Sequence, residues 1–348
     1  MNKPLLTICI LCHNSEKFLE KTLNSIIRQT YPNFEIIISD NYSEDRTPKI
    51  AEAFQKENPG QKIIYRRNEK PIVPDEYYIG CYENYNSCLK SGLINGEFVA
   101  FCHDDDIYSK TALEDQVNFL IKNPVAGVVF SMVNIINQKN KIIGSTKIPK
   151  ILSKKNIHNF TEIFEALLYN GNTFLKTPTL VARKNTFDNI GLFNEDKFRT
   201  SADLEMWLRI AEKYPIGILN KKLVDYRVGG GGGRLYNKLR IDKADFFDVI
   251  EYFMKKESMA RKIDKRFLRQ YDCQKYFDET LVAMNFLIKE DQKSAKELIN
   301  KRLPLSVLMA IFENITLLRI KVFSLRIIML LCVNLGMGKH LGRLLSRV

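Results

Sequence analysis

Residues Val99 to Ser109 read "VAFCHDDDIYS": an apolar, strand-like run, then His103, then Asp104, Asp105 and Asp106 in a row. Adjacent carboxylates repel each other, so such a run takes up protons or holds a cation. Carboxylate oxygens are hard ligands suited to Mg²⁺ or Mn²⁺, which typically join one or two carboxylates to a substrate's phosphates. These residue types point to metal-assisted phosphate chemistry. Asp40 ends another apolar run, in "SDNYSEDRT", where it either shapes a turn or meets a ligand. Asp203, in "RTSADLEMWLRI", opens a helical pattern. Thr200 and Asp203 have capping-box spacing, so Asp203 either ties off a helix or is an acid held rigidly enough to act as a base.

The elements that position these acids follow from periodicity. "LLTICILC" is a continuous apolar run, as in a parallel strand covered on both faces, and Leu19, Leu23, Ile26 and Ile27 then recur at helical spacing. Strands "FEIIISD" and "KIIYRRN" flank helix "RTPKIAEAFQKE"; a helical stretch around "YENYNSCLKSGLI" leads to strand "EFVAFCHDDD", helix "KTALEDQVNFLIKN" and strand "AGVVFSMVNII". This order predicts a mostly parallel α/β sheet, in which ligands bind at the carboxyl ends of the strands. His13, Asp40 and the three aspartates all fall there. Beyond Ile151 the pattern is mixed: helix "FTEIFEALLYN", strand "TPTLVARK", helix "DLEMWLRIAEKY" and strand "IGILNKKLVDYRV". Gly229 to Gly233 then mark a flexible loop or boundary, and the remainder reads as helical. The expected organisation is a domain over 1–228 and a glycine-rich loop with a helical region over 229–348.

Composition narrows the function. A chain of 348 residues, 45% hydrophobic and 27% charged, is an ordinary globular protein. Its seven cysteines, mostly in apolar stretches, read as reduced thiols of a cytoplasmic protein. The opening "MNKPLLTICILC" reads as a buried strand rather than a signal peptide. "CILCH", Cys9 to His13, fits a haem-attachment pattern, but strand alternation explains its cysteines, and Cys81, Cys88, Cys102 and His103 lack the short-spaced pairs of a zinc site. The glycine run is followed by no Lys-Ser/Thr, so it is no phosphate loop. A net charge of +13 calls for an anionic partner, yet no nucleic-acid-binding motif is present.

From about residue 5 to 230 the chain resembles the family 2 inverting glycosyltransferases of the GT-A fold, bacterial surface-glycan type. The resemblance lies in "TICILCHNSEKFLEKTLNSIIRQTYPNFEIIISDNYSEDRT", "NGEFVAFCHDDDIY" and "SADLEMWLRIAEKYPIGIL". It implies a nucleotide-diphosphate sugar donor, Mn²⁺ or Mg²⁺, and inversion at the anomeric carbon. By position, His13 and Asn14 fall in the first nucleotide-binding loop, where the family more often has Tyr-Asn, and Asp40 matches the aspartate that binds the base. The family's Asp-x-Asp metal motif is altered: its first position is His103 and its last is Asp105. Asp105 is the expected metal ligand with Asp106 beside it and Asp104 near the ribose or diphosphate; the alternative frame takes Asp104 and Asp106 as the motif, and the roles of His103 and Asp106 stay open. Asp203 matches the catalytic base, with Ala202 where the family often has Glu. The glycine run is expected to close over the donor as a lid, bringing Arg227 or Arg234 near the diphosphate.

Two other readings compete. A sugar-phosphate nucleotidyltransferase would need a glycine-rich basic loop after the first strand, which "LCHNSEKFLEK" lacks. A non-catalytic, membrane-bound nucleotide-binding protein would account for the altered metal motif. The tail from Asn314 to Val348 contains no acidic residue and punctuates an apolar stretch with Arg319, Lys321, Arg326, Lys339, Arg343 and Arg347. Its longest uncharged run is too short for a span of about 20 residues. A helix lying in the headgroups of an anionic membrane is expected, which places the enzyme peripherally at the inner face of the cell membrane, acting on a glycan or lipid-linked acceptor.

Overall fold

The structure, a computed structural model, describes residues 3–70, 79–229, 240–256 and 263–346. The glycine run beyond Gly229 and Arg234, on which the expected lid rests, lies outside the described residues. Two compact units divide the chain between residues 230 and 231.

In the first unit the apolar runs form strands β1 (Leu6–Cys12), β2 (Phe34–Asp40), β3 (Ile63–Arg67), β4 (Phe98–His103), β5 (Ile107–Tyr108), β6 (Val128–Ile136), β7 (Ile142–Ser145), β8 (Ile157–His158), β9 (Val181–Arg183) and β10 (Ile216–Arg227). They join one sheet in the order β3-β2-β1-β4-β9-β6-β10-β5, with β7 beside β6 and β8 beside β10. The long pairings, β1 with β2 and β4, β2 with β3, and β6 with β10, are parallel; the short ones, β9 with β4 and β6 among them, are antiparallel. Register then places the site. Cys12 lies opposite Asp40 and Leu11 opposite His103, so the chain leaves β1, β2 and β4 at one edge.

Helices α1 (Leu19–Ile27), α2 (Thr47–Glu57) and α4 (Ala112–Lys122) bury their apolar stripes with Leu6, Ile8 and Ile10 of β1 in one core. Helix α3 (Ile79–Lys90) is held to β2 by polar contacts: Ser39 Oγ donates to Asn84 Oδ1 (2.7 Å) and Asn84 Nδ2 donates back to the Ser39 carbonyl (3.0 Å). After α5 (Phe160–Asn170) the stretch expected as the strand "TPTLVARK" divides. Thr177–Thr179 forms a 3₁₀ turn and only Val181–Arg183 is strand, because Pro178 has no N–H for a ladder. Helices α6 (Lys184–Ile190), α7 (Glu195–Phe198) and α8 (Ala202–Lys213) lead into β10.

The second unit comprises helices α9 (Asp245–Met254), α10 (Lys265–Ile288), α11 (Gln292–Ile299), α12 (Leu305–Glu313), α13 (Leu317–Asn334) and α14 (Gly338–Ser346). Its interior corrects the expectation for the tail. Arg319 and Arg326 do not face outward: both are 3% exposed. Arg319 donates to the Ala310 carbonyl and Gln270 Oε1, each at 2.7 Å. Arg326 donates to Thr280 Oγ1 (3.1 Å) and the Leu298 carbonyl (2.6 Å), with its guanidinium 4.0 Å from the Tyr276 ring centre. Buried charges need such partners, and here helix ends and an aromatic face supply them. The outward face instead carries apolar side chains, Phe312, Leu317, Leu318 and Leu335 each being 68–76% exposed. Among the described residues no helix is long and apolar enough to cross a membrane.

The β1–β4 seam that sets the site edge is tight at Gly96, where a Cβ would lie 2.5 Å from the Thr7 backbone nitrogen and 2.6 Å from the Phe98 carbonyl oxygen. Backbone on both sides cannot yield as a side chain does. Gly96→Ala is therefore expected to destabilise the protein by about 1–3 kcal/mol, read as a lowered urea midpoint, and an unchanged midpoint would contradict the seam as described.

Candidate active site

The turn after β4 is clamped from three elements. Thr22 of α1, fully buried, places its hydroxyl between the carbonyls of Asp104 (2.9 Å) and Asp106 (2.7 Å). The His103 amide donates to the Tyr108 hydroxyl (3.2 Å). From the end of β10, the Arg227 amide donates to Asp106 Oδ1 (2.7 Å) and its Nε to the Asp105 carbonyl (2.7 Å). The Arg227 guanidinium also donates to the Asn137 carbonyl and Asn140 Oδ1 and lies over Phe18, 4.3 Å from the ring centre. Arg227 is 4% exposed. This geometry supports a positioning role for it rather than the diphosphate contact expected.

Held this way, the aspartates diverge. Asp104 turns toward β1, where its Oδ2 accepts the His13 amide (3.1 Å) and the Ser15 hydroxyl. Asp106 is fully buried, and among the described residues its Oδ2 has no hydrogen-bond partner; His103 Nδ1 is 3.8 Å away. One ligand atom each from His103, Asp105 and Asp106 lie within 4.8 Å of one another. An orphaned, buried carboxylate oxygen beside a second carboxylate and an imidazole fits a divalent cation in donor type and number. Burial holds the His103 imidazole down at about 4, which favours the neutral form able to ligate.

The β1 and β2 loops complete this edge. His13 Nδ1–H donates to the Asn41 carbonyl (2.8 Å). Asn14, at φ 51°, accepts the Glu44 amide on Oδ1 (2.9 Å), while its own amide donates to Ser43 Oγ (2.8 Å); asparagine tolerates that left-handed backbone better than most residues. Asp40 is fully buried. Its Oδ1 accepts the Ser43 amide and hydroxyl (3.0 and 2.5 Å), and its Oδ2 accepts the Tyr65 hydroxyl (2.8 Å) with Arg67 Nε at 3.6 Å. The turn-forming role of Asp40 is thus realised, and a base contact would share an already crowded carboxylate.

Asp203 is not a cap. Helix α8 has Ser201 as N-cap, with no side-chain capping bond. Asp203 Oδ2 accepts the Thr177 hydroxyl (3.0 Å), Oδ1 accepts the Leu204 amide (2.7 Å), and the Tyr82 hydroxyl and Lys176 ammonium act on the same group. The 3₁₀ turn after Lys176 places Thr177 beside the carboxyl end of β4, as the antiparallel β4–β9 register requires. Burial raises the Asp203 pKa above the usual carboxylate range despite these donors.

Sequence reasoning missed the residues that tie base to cluster. Tyr85 of α3 places its hydroxyl 2.8 Å from His103 Nε2, and Tyr82, one turn earlier, donates to the Thr200 carbonyl (3.0 Å) just before Asp203, whose carboxyl it also influences. The signal was present as "YENY", two tyrosines at the i, i+3 spacing that puts them on one helix face.

A doubly covered, mostly parallel sheet with a carboxylate cluster and a separate buried acid at its carboxyl edge defines a GT-A type glycosyltransferase. The chain belongs to glycosyl transferase family 2, whose profile matches residues 7–190. It is similar to a glycosyltransferase of Haemophilus influenzae described as uncharacterized, with 28% identity over 75% of this chain and 78% of the relative. WfgD of Escherichia coli, a UDP-Glc:alpha-D-GlcNAc-diphosphoundecaprenol beta-1,3-glucosyltransferase, is 27% identical over 50% of this chain and 65% of its own. Curated relatives are covered over between 33% and 90% of their lengths. Among solved structures, S. aureus TarS residues 1–349 in complex with UDP-GlcNAc superposes with a TM-score of 0.60 at 18% identity, covering 98% of this chain and 90% of that one. That likeness shows the fold. Of the enzyme classes weighed from sequence, the family decides for the glycosyltransferase over the nucleotidyltransferase.

The carboxylates make stability pH-dependent. Burial, then Asp105, pushes Asp104 up to about 7 and raises Asp106 well above the usual range. A carboxyl with a raised folded pKa binds its proton more tightly folded than unfolded, so its stabilisation is full below about 4 and is lost as pH climbs through about 7. The melting temperature in EDTA is expected to fall between pH 5 and pH 8, and Mn²⁺ to restore it mainly at the upper end. A cation effect equal at both pH values would contradict the site.

Proposed function

We propose that this chain is a cation-dependent, inverting glycosyltransferase that moves a sugar from a nucleoside-diphosphate donor to a hydroxyl of a glycan or lipid-linked acceptor in surface-polysaccharide or glycolipid synthesis. The observation that carries the reading is the His103–Asp105–Asp106 cluster joined to buried Asp203 through one face of α3. The glucosyltransferase activity of WfgD, the putative teichuronic acid biosynthesis role of the Bacillus subtilis relative TuaG (25% identical over 65% of this chain), and the UDP-GlcNAc bound to TarS support the donor and acceptor classes.

Asp105 and Asp106 would hold Mn²⁺ or Mg²⁺, which supplies positive charge for a diphosphate leaving group. His13, Asn14, Asp40 and Asp104 frame the nucleotide side of the edge. Asp203 takes the acceptor hydroxyl's proton as its oxygen bonds to the anomeric carbon; the carbon–oxygen bond to the diphosphate breaks and its electron pair leaves with the phosphate. One displacement from the opposite face inverts the centre. The raised pKa keeps Asp203 basic enough to accept that proton, and the Thr177 hydroxyl and Leu204 amide fix its direction.

Asp203→Asn is expected to keep donor affinity and melting temperature while lowering the transfer rate at least about a hundredfold. A normal rate would remove Asp203 from the chemistry.

The second unit is proposed to seat the enzyme at the inner face of an anionic membrane through residues 303–348. With Arg319 and Arg326 turned inward, the contact rests on exposed apolar side chains such as Phe312, Leu317 and Leu318, rimmed by exposed Lys301, Arg302, Lys321 and Lys339. Full-length protein should sediment with anionic vesicles more than with neutral ones and be only partly released by salt. Phe312→Asp with Leu318→Asp should abolish binding without loss of helicity; binding unaffected by both changes would overturn this placement.

A further inference from the structure

Resting on the cation reading above, we propose that His103 is itself a metal ligand through Nδ1, oriented by Tyr85, and that this nitrogen makes the site select Mn²⁺ over Mg²⁺. His103 occupies the position where the family usually has the first aspartate of its metal motif.

The argument is one of lone pairs. Asp106 cannot rotate to find a donor, because its Oδ1 is tied to the Arg227 amide (2.7 Å) and the residue is fully buried. Its Oδ2 has no hydrogen-bond partner and faces His103 Nδ1 at 3.8 Å. The imidazole is fixed from its other nitrogen by the Tyr85 hydroxyl at 2.8 Å. Tyr85 is 1% exposed, packed edge-on to Phe101 (4.8 Å between ring centres) and stacked on Phe193 (5.3 Å), so the ring it holds is held firmly. In one tautomer Nδ1–H points toward Oδ2 across a gap too long for a hydrogen bond. In the other, Nε2–H donates to Tyr85 and two lone pairs confront each other. Neither satisfies Oδ2. A cation held by Nδ1, Oδ2 and a carboxylate oxygen of Asp105 would satisfy all three; one ligand atom from each residue lies within 4.8 Å of the others, so the donors need only draw in slightly to reach one ion with bonds of about 2.1 Å.

An imidazole in place of a carboxylate changes which ion wins. Mg²⁺ prefers oxygen and gives up water reluctantly, whereas the nitrogen donor favours Mn²⁺ and the later divalent ions. Tyr85 acts as a positioning residue, since the partner of a ligating histidine's second nitrogen sets its tautomer and direction.

The test uses full-length protein and Mn²⁺ alone, read by electron paramagnetic resonance, with Mg²⁺ as competitor. Wild type should bind Mn²⁺ at least about tenfold more tightly than Mg²⁺, and spin-echo modulation should show a ¹⁴N nucleus coupled to the bound ion. His103→Asp should still bind Mn²⁺, lose the ¹⁴N coupling and discriminate less against Mg²⁺. Tyr85→Phe should keep the coupling but bind Mn²⁺ about tenfold more weakly. Mn²⁺ bound to wild type without ¹⁴N coupling would overturn this inference while leaving the cation reading intact; so would coupling that disappears in His13→Ala but not in His103→Asp. Absence of any Mn²⁺ binding would bring down both. If His103→Asp fails to fold, the presence or absence of coupling in wild type and His13→Ala still decides.

Discussion

Asp106 Oδ2 is a buried carboxylate oxygen with no proton to accept, and much of the surrounding structure exists to keep it so. A free carboxylate would rotate or hydrate. This one is pinned through its other oxygen by the Arg227 amide, while Thr22 and the Arg227 side chain fix the carbonyls on either side. Leaving such a group ionised and unpaired costs free energy, which is why burial and the neighbouring Asp105 raise the Asp106 pKa. Under the proposed reading the same arrangement would be preorganised for a cation, since a donor set already gathered within 4.8 Å would need little rearrangement to receive an ion, and preorganisation of this kind is the general source of electrostatic catalysis.

Parallel register brings the rest of the edge to this point. Because Leu11 lies opposite His103 and Cys12 opposite Asp40, the polar loops after β1, β2 and β4 emerge together. Helix α3 then reaches across with two tyrosines, Tyr85 on His103 and Tyr82 on the Thr200 carbonyl beside Asp203. The proposed base and the cluster thus share one helix as a common support. Burial raises the Asp203 pKa against the lowering effect of the Leu204 amide, Thr177, Lys176 and Tyr82, while the Thr177 hydroxyl aims the carboxylate.

How much of this was legible in the sequence depends on range. Strands β1 to β4 and helices α1, α2 and α4 announce themselves through continuous apolar runs and helical spacing, which are local signals. The aspartates were visible as acids at the end of an apolar strand. What they do was not, because Asp104, Asp105 and Asp106 are told apart only by partners 80 to 120 residues away, such as Thr22 and Arg227. The same limit misplaced Arg319 and Arg326: basic residues in an apolar tail read as outward-facing until the helix ends and aromatic ring that receive them are in place. Asp203 matched a capping spacing, yet its carboxylate turned to Thr177, whose approach is dictated by the β4–β9 pairing and not by anything near Asp203 in sequence.

The central claim is that a divalent cation at the His103–Asp105–Asp106 cluster is what allows a nucleoside diphosphate to dock against these acids. Calorimetric titration of the full chain with a panel of nucleoside diphosphates, in Mn²⁺ and in EDTA, tests it directly. One diphosphate should bind at least about tenfold more tightly with Mn²⁺ present, since without it two phosphates would face a row of carboxylates. Equal affinity with and without the cation, for a diphosphate that does bind, would contradict the account.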